Sequence, residues 1–461
     1  MQTNLPKGHK KLIHAWAFYD WANSVYSLVI TSAIFPIFYA AVSKKAFDQG
    51  RVPELLKDVN NENIIIVVTA IAFLIVSLIS PILSGIADYS GRKKRFLQFF
   101  CYLGALSCIG LATFSFDYLW TSLLIYMLAL IGFWGSLVFY NSYLPDIAFT
   151  EQQDAASAKG FSLGYIGSVI LLILCLVLIQ GGFYPEKGLF PESEWMRLTA
   201  VQLSFVLVGL WWIGFAQYTY AFLPMGTKKN TEQVRNIFTN GFRELKKIWL
   251  GLGDNLQMKR YLGAFFIYSM AVQTVMLVAT YFGTEEVAWP IDPETGESNA
   301  TTGLIISILL IQLVAIGGAW LASLLSRKVG NIKTLILINV CWAAICIYGY
   351  FVITPLQFYI TAGCVGLVMG SIQSLSRSTY SKMIPSDTVD TASYFSFYDV
   401  AEKIGIVIGM VIFAVVGQGT GGMRGPILFL VVFFIIGVIL LYRVPKIQTS
   451  ATPKKADDPP I

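Results

Sequence analysis

The sequence predicts an all-α polytopic membrane protein, with twelve transmembrane helices in two pseudo-symmetric six-helix bundles. Three observations predict it. Charged residues make up 13% of the 461 positions and hydrophobic residues 56%, whereas ordinary globular chains carry roughly 25% charge. So little charge cannot cover a soluble surface, and so much apolar content excludes a disordered chain. Second, the apolar residues gather into twelve runs, each close to the roughly 20 residues that a bilayer crossing needs. Third, a long basic segment separates six runs from six, and short repeats recur on its two sides.

In chain order the runs cover about 14–42, 63–86, 96–115, 118–142, 158–180 and 198–223, then 260–283, 302–325, 334–353, 357–380, 393–416 and 425–443. They are numbered here as spans 1 to 12. Span 1 is too long and too aromatic for a cleaved signal peptide, and no A-x-A site follows it, so it is expected to be retained. Placing the N-terminus inside puts 25 of the 33 Lys and Arg residues on the inner side, Arg377 and Lys382 among them, and seven outside. The outer loop 284–300 holds Glu285, Glu286, Asp292, Glu294 and Glu297 without a basic residue. The positive-inside rule therefore predicts both termini in the cytoplasm. The expected location is the plasma membrane, the inner membrane of a bacterium.

The predicted division is a bundle over 1–223, a cytoplasmic linker over 224–259, a second bundle over 260–443 and a flexible cytoplasmic tail over 444–461. In the linker, Ile237, Phe238, Phe242, Leu245, Ile248 and Trp249 fall at mostly helical spacing, with Arg243, Lys246 and Lys247 between them. That pattern predicts an amphipathic helix on the inner membrane surface. Gly91 and Lys94 recur as Gly330 and Lys333, at an offset of 239. Asp154-Ala-Ala-Ser157 recurs as Asp390-Thr-Ala-Ser393, at an offset of 236. Two near-equal offsets support duplicated halves, an organisation common among secondary transporters.

Several classes are disfavoured. The net charge of +6 follows membrane topology and does not point to a nucleic acid. The six cysteines lie in apolar runs with no disulfide or metal spacing. His9 and His14, the only histidines, precede or begin span 1, so neither a histidine metal cluster nor an intramembrane histidine relay is expected. No G-x-x-x-x-G-K-[ST] loop is present for ATP. No metal or cofactor is expected.

After span 2 the chain reads Ser84-Gly-Ile-Ala-Asp88-Tyr-Ser-Gly91-Arg92-Lys93-Lys94-Arg95. Gly91 permits a tight reversal. Asp88 needs a donor at the membrane boundary, and a neighbouring helix N-terminus is the natural source. The basic residues can grip acids on adjacent inner loops, Asp146 for example. Ordinary positive-inside charge is the plainer reading, but the D-x-x-G-R-K-K order speaks against it. This segment resembles the inner-loop motif of the major facilitator superfamily. Its first position, usually Gly, is Ser84 here. The second-half copy, Arg327-Lys-Val-Gly330-Asn-Ile-Lys333, has Arg where the acid would stand.

A narrower resemblance is spread over nearly the whole chain. Span 1 reads Phe18-Tyr-Asp20-Trp21-Ala-Asn23-Ser24 and then Phe35-Pro36. Span 4 ends Phe139-Tyr-Asn141-Ser-Tyr-Leu-Pro145-Asp146. Span 5 holds Gly160-Phe-Ser-Leu-Gly164-Tyr-Ile-Gly167, span 10 Gly366-Leu-Val-Met-Gly370-Ser-Ile-Gln373-Ser-Leu-Ser-Arg377-Ser, and span 11 Tyr398-Asp399-Val400. Together these are similar to the vacuole-effluxer-like family within that superfamily. The resemblance implies the major facilitator fold. Eukaryotic relatives are associated with release of amino acids from the vacuole.

Charges inside the apolar runs are Asp20, Asp399, Glu402 and Lys403. Such residues are costly in lipid and face a cavity or a partner. Asp20 reads as either a protonatable coupling site or a structural contact. It has no basic residue within its own helix turn and so is expected to be free to lose its charge. Asp399 and Lys403, at i and i+4, can pair, with Glu402 beside them, which suits a gate or a structural network. Arg377 is the candidate cation from another helix. Tyr26, Trp134, Gln273 and Gln373 lie near mid-membrane on spans 1, 4, 7 and 10, the four that line the central cavity in the superfamily. Asn23 and Asn141 are further candidates. For each the plainer reading is an interhelical hydrogen bond, and the span 5 glycines read as close-packing positions.

The expected function is secondary active transport of a small polar solute, an amino acid being the candidate, by alternating access and with protons as candidate coupling ion. The expected partners are that solute and the lipid bilayer. The alternatives are a non-transporting membrane scaffold and an integral-membrane enzyme. An enzyme would need a nucleophile with a base or a metal cluster, and only scattered Ser, Tyr and acids are available.

Overall fold

The computed structural model describes residues 5–50, 53, 61–181, 198–226, 246, 248–251, 255–291 and 298–445. Among the described residues, twelve helices are long and apolar enough to cross a membrane. Spans 1 to 6 are Lys10–Asp48, Ile64–Ser90, Lys93–Thr113, Phe116–Ile147, Thr150–Gln180 and Ala200–Phe222. Spans 7 to 12 are Leu256–Glu286, Ala300–Val329, Asn331–Gly349, Pro355–Met383, Thr391–Thr420 and Arg424–Tyr442. Each corresponds to one of the twelve apolar runs.

Most helices run past the apolar run that announces them. Span 2 continues through Asp88 to Ser90, and span 3 starts at Lys93, so the predicted inner loop shrinks to Gly91 and Arg92. The polar extensions persist because partners on other helices satisfy their side chains, while the helix satisfies their backbone. Gly91 turns the chain at φ 63°, and Gly330 does the same between spans 8 and 9 at φ 89°. Only glycine adopts such angles without strain. The end of the bundle that carries these two turns is called the basic end below.

Two cores form, one per half. The first gathers Trp16, Tyr19, Tyr26, Phe139 and Trp212, all essentially inaccessible. The second gathers Tyr261, Tyr268, Trp342 and Phe434. Helix pairing repeats between them. Span 1 packs on spans 5 and 6, span 3 on 4 and 6, and span 2 on 4; adding six to every number gives the pairs of the second half. The halves meet through spans 2 and 11, 5 and 8, 4 and 11, and 5 and 10, which is again a symmetric set. Apolar burial holds each half together, so the seam between them is where polar residues collect.

Span 1 is not uniform. Tyr26–Ile34 is π-helical, between helical segments Lys10–Val25 and Phe35–Asp48. The Ser32 hydroxyl donates to the Ser27 carbonyl at 2.9 Å, five residues back. Pro36 follows, and it supplies no N–H to the turn before it. The wide turn absorbs that defect.

In the linker, residues 246 and 248–251 are helical, and the Trp249 ring meets Phe397 of span 11 at 5.7 Å. The rest of the predicted amphipathic helix, the tail beyond residue 445, and Asp292, Glu294 and Glu297 lie outside the described residues. Glu285 and Glu286 belong to span 7.

Candidate functional site

Asp20 and Arg377 lie in opposite halves and pair at 3.2 Å, both nearly inaccessible. Arg377, counted among the inner-side charges, is buried within span 10 at 3% exposure. It is the cation from another helix that Asp20 lacks within its own turn, 357 residues away in sequence. The Tyr140 hydroxyl also donates to Asp20 Oδ2, at 2.8 Å. Arg377 spends its remaining donors in the first half. Nε reaches the Ser157 hydroxyl at 2.9 Å, NH2 the Ser157 carbonyl at 3.0 Å, and NH1 the Asn141 amide oxygen at 3.2 Å. Its plane lies over Phe161 at 4.1 Å and Trp16 at 5.0 Å. NH2 also donates to Asp20 Oδ2 at 3.3 Å, so all five guanidinium donors are used.

Gly160 makes room for this pair. A Cβ there would stand 2.5 Å from Asp20 Oδ2 and 2.9 Å from Arg377 NH2. Gly164 and Gly167 clear the same face of span 5 for Ser24 and Trp21 of span 1, so the span 5 glycines are packing positions.

Asp88 finds its donor at the N-terminus of span 11. Its carboxylate accepts from the backbone of Ala392 at 3.2 Å and of Ser393 at 2.7 Å, and from the Ser393 hydroxyl at 2.8 Å. Lys93 bridges to Asp146 at 2.7 Å and donates to the Thr391 hydroxyl. Lys94 reaches the Leu223 carbonyl at 3.1 Å, while Arg92 is exposed. Lys93 and Lys94 are buried, so they act as interior contacts and not as solvated loop charge.

A second joint mirrors the first with its charges exchanged. Asp154, at the start of span 5, pairs with Lys382 of span 10 at 2.6 Å. It also accepts from Ser326 and the Asn331 amide, each at 2.9 Å. The 236-residue offset carries Asp146 onto Lys382 and Asn141 onto Arg377. The second-half motif lacks its acid at Arg327, and the acid is supplied instead by Asp154 of the facing half.

Deeper in the seam, Lys403 donates to Asp399 and, at 3.1 Å, to Glu402. Its Nζ stands 3.9 Å from the ring centroid of Trp134, on span 4 of the other half. The Gln273 amide donates to Glu402 at 2.7 Å, and Gln373 accepts from Tyr165 of span 5 at 2.8 Å. Both glutamines are thus tied to protein partners. Trp134, Asn141, Gln273, Gln373 and Glu402 keep partial exposure. Asn23 and Tyr26 do not: Tyr26 packs on Phe133 and Trp212 inside the first core, and Asn23 is 1% exposed.

A family model described as "Vacuole effluxer Atg22 like" matches residues 8–452. The chain belongs to this family. It is a membrane transporter of the major facilitator type and not an enzyme. An "Uncharacterized MFS-type transporter YxiO" of Bacillus subtilis (strain 168) is 30% identical, covering 99% of this chain and 100% of that one. "Autophagy-related protein 22" of Kluyveromyces lactis is 21% identical over 94% of this chain and 93% of its own. Among solved structures, the proton:xylose symporter XylE superposes with a TM-score of 0.66 at 12% identity, covering 95% of each chain. FucP, a major facilitator transporter in the outward conformation, gives 0.64 at 14% identity, covering 95% of this chain and 98% of that one. These likenesses show the fold.

In this vacuole effluxer-like chain, the sequence reading overlooked Tyr140, Asn331 and Ser326, and treated Lys382 as loop charge. The 236-residue offset would have flagged Lys382 as the counterpart of Asp146. No local signal marks Tyr140, whose role depends on which side of span 4 faces Asp20.

Proposed function

We propose that the chain is a secondary active transporter that moves a small polar solute, an amino acid, by alternating access coupled to protons. The observation that carries this reading is the buried Asp20–Arg377 pair between the halves. Each half has its own apolar core, so each can move as a body. The contacts at Asp20, Asp88 and Asp154, with that of Lys93 to Thr391, close the basic end, and opening that end must break them together. Two buried charges are strongly destabilised when separated. A proton delivered to Asp20 replaces the guanidinium as its countercharge, which ties protonation to opening. Asp20 is therefore the first coupling candidate and Glu402 the second, while Asp399, Lys403 and the motif residues Asp88, Gly91, Arg92 and Lys93 serve as gate. Trp134, Asn141, Gln273 and Gln373 face the solute path.

The amino-acid reading is supported by a seam that offers buried groups of both signs, as a zwitterion requires, and by the vacuole effluxer description of the family. Placement of the basic end in the cytoplasm follows the positive-inside rule. The relative in Bacillus subtilis supports a bacterial plasma membrane. The test is flux of radiolabelled amino acids into liposomes holding the purified chain. Accumulation driven by a pH gradient is the expected result. Exchange without a response to the gradient would remove proton coupling, and no flux of any amino acid would remove the solute class.

A further inference from the structure

Lys403 is held as a bound amine would be held. Its ammonium donates to Asp399 and Glu402, and the Trp134 ring closes a third side at 3.9 Å. Two carboxylates and an aromatic face are a recognised way to bind an alkylammonium group. The site also carries more negative charge than it holds positive, two carboxylates against one ammonium. Gln273 offsets part of the excess through its bond to Glu402. Asp399 is buried, and beyond Lys403 its polar neighbour is the Ser80 hydroxyl of span 2. Surplus negative charge in a buried site favours the entry of a cation.

The geometry points to a primary-ammonium site formed by Glu402, Asp399 and Trp134, which Lys403 fills from within the chain and which the amine of the transported solute takes over. This deepens the transporter reading and rests on it. Lys403 and Asp399 are nearly inaccessible, whereas Glu402, Gln273 and Trp134 are partly exposed. The solute therefore arrives on the Glu402 and Trp134 side. Once displaced, the Lys403 ammonium is free to pair with an anionic group on the same solute, its carboxylate in an amino acid. The position suits this role. Glu402 is eleven residues into a 30-residue helix, which is roughly 17 Å from the basic end at the helical rise. Trp134 belongs to one half and the acids to the other, so filling the site changes a contact across the seam. Binding and rocking are coupled through that contact.

The test uses the full chain purified in detergent and thermal unfolding with butylammonium, butyrate or tetramethylammonium. Lys403→Met removes the tethered occupant. Butylammonium is expected to stabilise this variant saturably, with an affinity about tenfold tighter than for the unaltered chain. Butyrate is expected to do nothing, since it carries no cation, and tetramethylammonium to stabilise less than butylammonium, since the Trp134 face attracts it but the carboxylates gain no N–H donor. Glu402→Gln, nearly isosteric, is expected to weaken butylammonium binding about tenfold. If Lys403→Met does not fold, the unaltered chain, Glu402→Gln and Trp134→Leu are compared with alanine against propionate, its deaminated counterpart. Equal stabilisation by amine and carboxylate probes, or binding indifferent to Glu402→Gln, overturns the site. Liposome flux separates the two readings. Amine binding without flux of any solute overturns the transporter and leaves the site, whereas flux of an amine-free solute unchanged in Glu402→Gln overturns the site and leaves the transporter.

Discussion

Arg377 of span 10 places its guanidinium 3.2 Å from the carboxylate of Asp20 on span 1 and spends every donor within the opposite half. In the alternating-access reading proposed above, the pair holds only while the basic end is closed, so its energy belongs to one conformation. Asp20→Asn or Arg377→Met leaves the other group buried without a countercharge, at a cost of about 3–5 kcal/mol. Either variant should shift the chain toward an open basic end, read as faster labelling of a cysteine at Ser378 in a background without native cysteines. The double variant should recover much of the closed state. Equal labelling of the double and single variants would show that the pair does not hold the seam.

Asp20→Asn should also separate coupling from movement. It removes the carboxyl proton but keeps the side chain's shape. The expected outcome is loss of accumulation driven by a pH gradient, with exchange at equal concentrations retained. Accumulation with unaltered pH dependence would assign Asp20 a purely structural role.

Gly160→Ala tests the same pair without touching a charge. The added methyl competes for the space of Asp20 Oδ2 and Arg377 NH2. Overpacking of this kind costs about 1–3 kcal/mol, and only the closed state carries it. Labelling at Ser378 should rise as it does in Asp20→Asn, by a smaller factor. An unchanged rate means that span 5 yields easily at this point.

Asp88 anchors the N-terminus of span 11. Asp88→Asn keeps one acceptor and loses the charge, so about 1.5–3 kcal/mol of charged hydrogen bonding is at stake. Transport should slow by about tenfold or more while equilibrium solute binding stays nearly intact. Lost binding with an unaltered conformational balance would place Asp88 at the solute instead.

The inverted joint predicts a charge-swap result. Asp154→Lys and Lys382→Asp each set like charges together at a 2.6 Å contact, and each should lower the melting temperature and the transport rate. Combining the two restores opposite charges and should recover a large part of both, because neighbouring sites are not additive. The cycle fails if the double variant is as impaired as the sum of the singles.

The sequence by itself determined the class, the number of spans and the duplication. Those follow from local quantities. A run of apolar residues either spans the bilayer or does not, and a backbone in lipid must then be helical. The Asp88 to Lys93 order and the repeated Asp-x-Ala-Ser stretches also mark the ends where the halves meet. The tertiary structure decided which charges are partners. Asp20 and Arg377 share no local pattern, and neither do Asp154 and Lys382, because each contact joins helices more than 200 residues apart in the chain. A residue that reads as loop charge, as Lys382 does, becomes a partner only when another helix reaches it. The same limit applies to Tyr26 and Gln273, whose mid-membrane depth is legible while their facing is not. Hydropathy is nearly equal all round a span that has lipid on one side and protein on the other, so rotation about the helix axis is set by packing.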